Sequence, residues 1–263
     1  MKTKINRILF IFFTVCTCLS TTSCEGLFDG IYDEPMSLDT DSAKTEGFMP
    51  YTGDQAMENR YLLKLKATEY DEWIYVDLHQ QKLERKPIPT KLTGEWDGRS
   101  GLTYNEVKGT LFTPYKTVNT DTQEEAEHWD FAVHHFDVKT NGGAAWSTPY
   151  WSMEELMDQN PDLNKQTFTR DIWSTTHAIV DLKEMMGFRV GYQNTMVNVP
   201  LTGWVIMDFS NPPPVYTFNN NVRILRMSDG TYAALRMLSY MNTVGLKGYL
   251  TFDVIYPYTY GTK

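Results

Sequence analysis

The chain has 263 residues, with 24 Lys and Arg against 33 Asp and Glu, for a formal net charge of −9. That balance argues against nucleic acid as a partner, because phosphate attraction dominates such affinity, and it offers no electrostatic grip on anionic lipid. Aromatics are plentiful, with 16 Tyr, 13 Phe and 7 Trp, a supply suited to pleated, half-buried sheets.

Lys2, Lys4 and Arg7 open the chain. Ile8 to Leu19 is an apolar run interrupted by Thr14 and Thr17, and small residues from Ser20 to Ser23 precede Cys24. Roughly 20 apolar residues are needed to cross a bilayer, so the shorter run reads as a signal peptide over residues 1–23. A cysteine directly after the small residues resembles a bacterial lipobox, with Thr21 where leucine is usual, and points to lipidation of Cys24. Plain secretion with Cys24 as a free thiol is the alternative. Cleavage removes three basic and no acidic residues, which takes the charge from −9 to −12 over 240 residues. It also removes Cys16 and Cys18, so the mature chain has no internal disulfide. Acyl chains on Cys24 would hold the protein at a membrane without spanning it.

Residues 24–60, acidic and weakly periodic, read as the lipidated terminus and a flexible tether. Residues 61–263 read as a single β domain. In Trp73–Leu78, Ile74, Val76 and Leu78 share one face and Trp73, Tyr75 and Asp77 the other, a strand signal. Residues 84–101, with Pro87, Pro89, Gly94 and Gly98, read as loop. Leu111-Phe112 is a short apolar piece ending at Pro114. Residues 119–127 read as a solvated loop or helical turn. In Trp129–Val138 the apolar parity switches at His134-His135, which a bulge or a strand buried on both sides would produce. Thr140–Gly143 is a turn signal.

Ser152-x-x-Glu155 fits a capping box for a short helix, Met153 to Met157, ended by Asn160-Pro161-Asp162. Asp181–Met186 reads as a helical turn closed by Gly187. Trp204–Phe209 is a strand candidate that ends at Asn211–Pro214. Val222–Met227 and Tyr232–Tyr240 flank Ser228–Thr231, a hairpin signature with Gly230 free to take positive φ. Tyr249–Tyr256 alternates with Leu250, Phe252, Val254 and Tyr256 on one face, and suits a central sheet position. The sum is an all-β fold of mostly antiparallel sheets with minor short helices.

The run Trp129–Gly143 resembles the HmuY family, haem-binding lipoproteins of Bacteroidetes. Trp73-Ile74-Tyr75, Gly203-Trp204, Pro213–Tyr216, Asp229-Gly230, Lys247–Phe252 and Tyr256-Pro257 fit in order, covering roughly residues 65–258. The resemblance implies an exported outer-membrane lipoprotein, exposed at the cell surface or facing the periplasm. It would act as a hemophore in iron acquisition and pass haem to a TonB-dependent receptor. It further implies haem held between loops by two axial side chains. The best-known members use two histidines, and the corresponding stretches here, 184–192 and 207–212, contain none. Members that use methionine are more similar. The axial ligand candidates are therefore Met185, Met186 and Met207, since Asn211 and Pro212 are poor or impossible ligands. Phe188, Tyr192, Phe209 and Tyr216 are the pocket candidates, with ordinary core packing as the alternative. Methionine is also a common core filler.

His134 and His135 are less favoured ligands: adjacent strand residues point to opposite faces, so one reads as packed and the other as near solvent. His79, His128 and His177 show no metal-ligand spacing. No Gly-x-Ser-x-Gly, Walker loop or dinucleotide fingerprint is present, so an enzyme is not expected. The other reading is a lipoprotein that kept the fold and binds a glycan, another tetrapyrrole or a protein partner.

Overall fold

The computed structural model describes residues 46–89, 92–93, 113–118, 123–182, 189–208 and 215–260. The signal peptide and Cys24 lie outside this set. The early strands are β1 (Gly47–Pro50), β2 (Arg60–Lys66), β3 (Glu72–Asp77), β4 (Lys82–Pro87), β5 (Leu92–Thr93) and β6 (Thr113–Val118). The middle strands are β7 (Phe131–His134), β8 (Asp137–Thr140), β9 (Ala144–Ser147), β10 (Thr169–Arg170), β11 (Ile172–Ser174) and β12 (Ile179–Asp181). The last are β13 (Arg189–Gln193), β14 (Thr195–Val197), β15 (Val205–Asp208), β16 (Val215–Phe218), β17 (Arg223–Arg226), β18 (Tyr232–Met241) and β19 (Lys247–Ile255). Helices α1 (Met153–Gln159) and α2 (Val199–Thr202) are short. The fold is all-β and mostly antiparallel.

The largest sheet has seven strands in the order β1-β2-β19-β18-β17-β9-β10. β19 is central in it, as its alternation predicts: it pairs with β2 on one side and β18 on the other. A four-stranded sheet, β4-β3-β7-β8, packs against it. Leu63, Leu65, Leu235, Leu250, Phe252 and Val254 from the first meet Ile74, Val76, Phe131 and Val133 from the second in one core. β3 is buried on both faces, because Trp73 and Tyr75 enter a second cluster with Ile88, Trp129 and Ala178. A third cluster lies under α1, where Met153 and Leu156 pack on Val222, Ile224 and Ala234.

Arg60 ties these layers together. Its guanidinium donates to both Asp253 oxygens at 3.0 and 2.7 Å, and to Glu154 of α1 at 2.8 Å. A fork matched to a carboxylate is the strong form of such a pair.

Several sequence expectations change. β1 lies inside the stretch read as tether, and pairs with β2. Much of 84–101 was expected to be loop, yet β4 runs through Pro87 and pairs with β3, with proline at the strand end and on the sheet edge where its missing N–H is tolerated. Pro114 does not end a strand either. It sits in β6, opposite Val190 and beside a register shift, a position that tolerates a missing donor.

The parity switch at His134-His135 is a turn and not a bulge, and β7 before it is buried on both faces, as one of the two alternatives holds. β7 and β8 are two strands joined by the two-residue turn His135-Phe136, with His135 at φ 53°. A positive φ at the first central residue suits a tight hairpin. Asp181 does not open a helical turn, since it ends β12 opposite Gly191. Helix α1 begins as the capping box predicts: Glu155 N donates to Ser152 Oγ at 3.0 Å, and Trp151 N donates to Glu155 Oε2 at 2.8 Å. It runs two residues past Met157 and closes on Asn160 in the left-handed region. The β17–β18 hairpin forms as expected, with Gly230 at φ 89°.

Candidate functional site

Two hairpins carry the expected ligand loops. β12 and β13 pair with each other and flank residues 183–188, while β15 and β16 pair and flank residues 209–214. Met185, Met186, Phe188 and Phe209 lie outside the described residues. Met207 is in β15, its backbone opposite Tyr216.

The second hairpin is fixed at its base by buried groups. Trp204, fully buried, donates from Nε1 to Phe136 O at 3.3 Å and packs against the Phe252 ring at 4.6 Å. Asn219 N, just after β16, donates to Trp204 O at 2.8 Å. Arg223 is 1% exposed, and no carboxylate pairs with it among the described residues. Its guanidinium instead donates to Pro200 O (3.1 Å), Gly203 O (3.2 Å), Asn219 O (3.0 Å) and Asn221 O. Two of those carbonyls close α2, where cations satisfy the free ends of a helix. Burial pushes the Arg223 pKa down to about 10, so it stays charged near neutral pH. One side chain thus clamps the entry to β15 and the exit from β16.

Beside this hairpin stands an aromatic group. Tyr216 stacks on Tyr240 at 6.4 Å and 11°, and Phe218 and Phe136 meet the same Tyr240 ring at 5.5 and 6.0 Å. Lys247 Nζ lies 3.6 Å from the centre of the Tyr216 ring, a close cation–π contact. On the outer surface Ile206 and Val215 are exposed, and Phe218 is partly so. The neighbouring ladder β11–β14 shows a second apolar spot, with Trp173 directly opposite Met196 and both exposed.

The first hairpin is anchored through β13. Gln193, fully buried, accepts from Trp73 Nε1 at 2.7 Å and donates to Gln123 Oε1 at 2.9 Å. Tyr192, expected to wall a pocket, is 3% exposed and offers little surface to a ligand. Tyr216, also expected to wall a pocket, is half-buried and packs against the core beside Tyr240.

Both histidines of the β7–β8 turn are buried, which corrects the reading of one as near solvent. His134 Nε2 lies 3.1 Å from Tyr70 O, and His135 is held by Ala67 O (3.0 Å) and Tyr70 Oη (3.2 Å). The turn, unlike a continuous strand, lets both rings enter the interior. Burial pushes the His134 pKa down to about 4, so it is neutral at pH 7. Arg223, Lys247, Tyr240 and Phe218 were not singled out from sequence. A positive charge far along the chain gives no local sign that it will meet an aromatic ring. Chemically, the second hairpin combines exposed apolar side chains with a cation held over the Tyr216 ring, an arrangement suited to an apolar ligand carrying anionic groups.

No curated protein sequence matches this chain. Among solved structures, a Bacteroides fragilis protein described as a lipoprotein is 32% identical, with a TM-score of 0.65 over 82% of this chain and 98% of that one. An HmuY-like haem-binding protein from Bacteroides vulgatus is 30% identical, with a TM-score of 0.63 over 82% of this chain and 100% of that one. The Tannerella forsythia HmuY analog, at 22% identity and a TM-score of 0.54, covers 74% of this chain and 94% of its own and shares the fold. Residues 69–254 match the model of the HmuY protein, and with that coverage the chain belongs to the HmuY family.

Proposed function

We propose that this protein binds haem at the β15–β16 hairpin and acts as a surface lipoprotein of haem uptake. Family membership and the description of the Bacteroides vulgatus relative as haem-binding support the reading. The observation that carries it here is the Lys247–Tyr216–Tyr240 platform built on β16, the strand that follows residues 209–214 in the chain. Stacked rings suit a porphyrin face, and a lysine suits a propionate.

Met185 or Met186 from the first hairpin, and Met207 from the second, are the proposed axial ligands. Haem iron accepts a thioether as well as an imidazole. A thioether carries no proton, so such binding would persist through mild acid where histidine would protonate. Phe188 and Phe209 are the proposed flanking rings. Lipid on Cys24 would anchor the chain at the outer membrane, and a TonB-dependent receptor would take the haem. No helix among the described residues is long and apolar enough to cross a membrane. The reading assigns no catalysis to the chain.

Titrating the haem-free protein with haem, oxidised and reduced, tests this. A saturable Soret shift is expected, weakened in the Met185→Ala/Met186→Ala double variant. No saturable shift in either state would overturn the function, and full affinity in the double variant would overturn the ligand assignment alone. A second reading rests on the absence of histidine from both loops and on Asn211 and Pro212 in the second. In it the chain binds a glycan, another tetrapyrrole or a protein. A silent haem titration together with a glycan-array signal would favour it.

A further inference from the structure

Outside the hairpins, the end of β3, the turn after it and the residue before β7 bring three metal-ligating side chains together. One donor atom from each of Asp77, His79 and Asp130 lies within 4.8 Å of the others. The backbone fixes this meeting, since β3 pairs with β7 and Asp130 N donates to Val76 O at 2.8 Å. The three line an open cleft of about 250 Å³, with Glu127 and His128 also on its wall.

The carboxylates are buried, with Asp77 6% exposed and the Asp130 side chain 9%. Among the described residues no Lys or Arg pairs with either. Asp77 Oδ1 accepts from Gln80 N at 2.8 Å, and Asp130 Oδ2 from Leu78 N at 2.7 Å. Asp77 and Asp130 both line the cleft. Buried charges are normally paired or bound to metal. Here the compensation is one backbone N–H for each carboxylate and the half-exposed His79 imidazole, 3.3 Å from Asp130.

His79 is held from its far side. Nε2 lies 3.0 Å from Asp229 Oδ2, on the β17–β18 turn, and Nδ1 lies 3.3 Å from Asp130 Oδ2. If Asp229 accepts the Nε2 proton, Nδ1 presents a lone pair to a carboxylate oxygen. Two acceptors at that distance require a proton or a cation between them. A carboxylate fixing the remote nitrogen of a histidine is a recurrent support for a metal ligand. Bonds of about 2 Å place ligand atoms roughly 3–4 Å apart around one ion.

We propose that Asp77, His79 and Asp130 bind one divalent transition cation of the zinc class, with Asp229 as positioning residue. One imidazole and two carboxylates suit such a borderline ion, and an open fourth position would take water. The site is separate from the haem hairpins and does not depend on the proposed function.

The full chain, haem-free and stripped with chelator, is titrated with ZnCl2 by calorimetry. One saturable site is expected. His79→Ala and Asp77→Asn weaken it at least about tenfold, Asp229→Asn does so by about tenfold, and His177→Ala leaves it unchanged. His79 sits on an exposed turn, so its variant folds, and near-ultraviolet circular dichroism checks this for each. No saturable heat, or unchanged affinity in His79→Ala, overturns the proposal.

Discussion

His134 and Asp137 face one another in register across the β7–β8 turn, and burial moves their titrations in opposite directions. The imidazole is pushed down to about 4 and the carboxyl up to about 7. Below 6.5 the unfolded chain protonates His134 while the folded chain does not. Its contribution is therefore complete above 6.5 and lost as pH falls toward 4, by about 3 kcal/mol at most. Asp137 acts oppositely: its contribution is present below 3.8 and lost as pH rises through about 7. The two displacements are of similar size, so they offset one another between pH 5 and pH 7. Urea unfolding of the wild type should therefore change little over that range. His134→Gln should leave a stability that falls as pH rises, and Asp137→Asn one that falls as pH drops. An unchanged slope in His134→Gln contradicts the account.

Arg60 and Asp253 form a two-pronged pair, with both side chains 2% exposed. Asp253→Ala leaves the buried guanidinium with Glu154 as its remaining carboxylate partner and should cost about 3 kcal/mol. Replacing both, Arg60→Met with Asp253→Leu, should cost much less, since apolar groups of similar volume fill the space. Chemical denaturation of the two single variants and the double gives the coupling directly.

Arg223 should matter both to stability and to ligand binding. Lysine cannot reach four carbonyls from one head group, and each lost bond is worth about 1 kcal/mol. Arg223→Lys should lose roughly 2–4 kcal/mol by the same reckoning. It should also weaken haem binding, because the clamp holds both ends of the β15–β16 hairpin. Thermal melting together with the Soret titration separates the two effects.

Lys247→Met keeps the stem and removes the charge over Tyr216. Loss of one favourable charge contact should weaken haem binding about tenfold while leaving the melting temperature near wild type. Haem affinity unchanged in this variant would remove Lys247 from the site.

Much of the fold is legible in local pattern. Leu250, Phe252 and Val254 alternate along β19, Ser152 and Glu155 mark the start of α1, and Gly230 marks the β17–β18 turn, because each signal is contained in a few consecutive residues. The β7–β8 turn was hidden because His135 and Phe136 are not usual turn residues, and so two strands looked like one. β4 and β6 were hidden by prolines that the sheet edge and a register shift accommodate. The site was legible only through family motifs. Arg223 and Lys247 meet their partners across folded layers, and so do Asp77 and Asp130, which are brought together by β3–β7 pairing rather than by spacing. The burial of Tyr192 is illegible for the same reason, since it depends on packing beyond its own strand.

A crystal structure of the protein soaked with haem tests the central claim most directly. The account predicts porphyrin density against the Tyr216–Tyr240 platform, a propionate near Lys247, and methionine sulfur on the iron from residues 185, 186 or 207. Density for haem elsewhere, or none beside the β15–β16 hairpin, would contradict it.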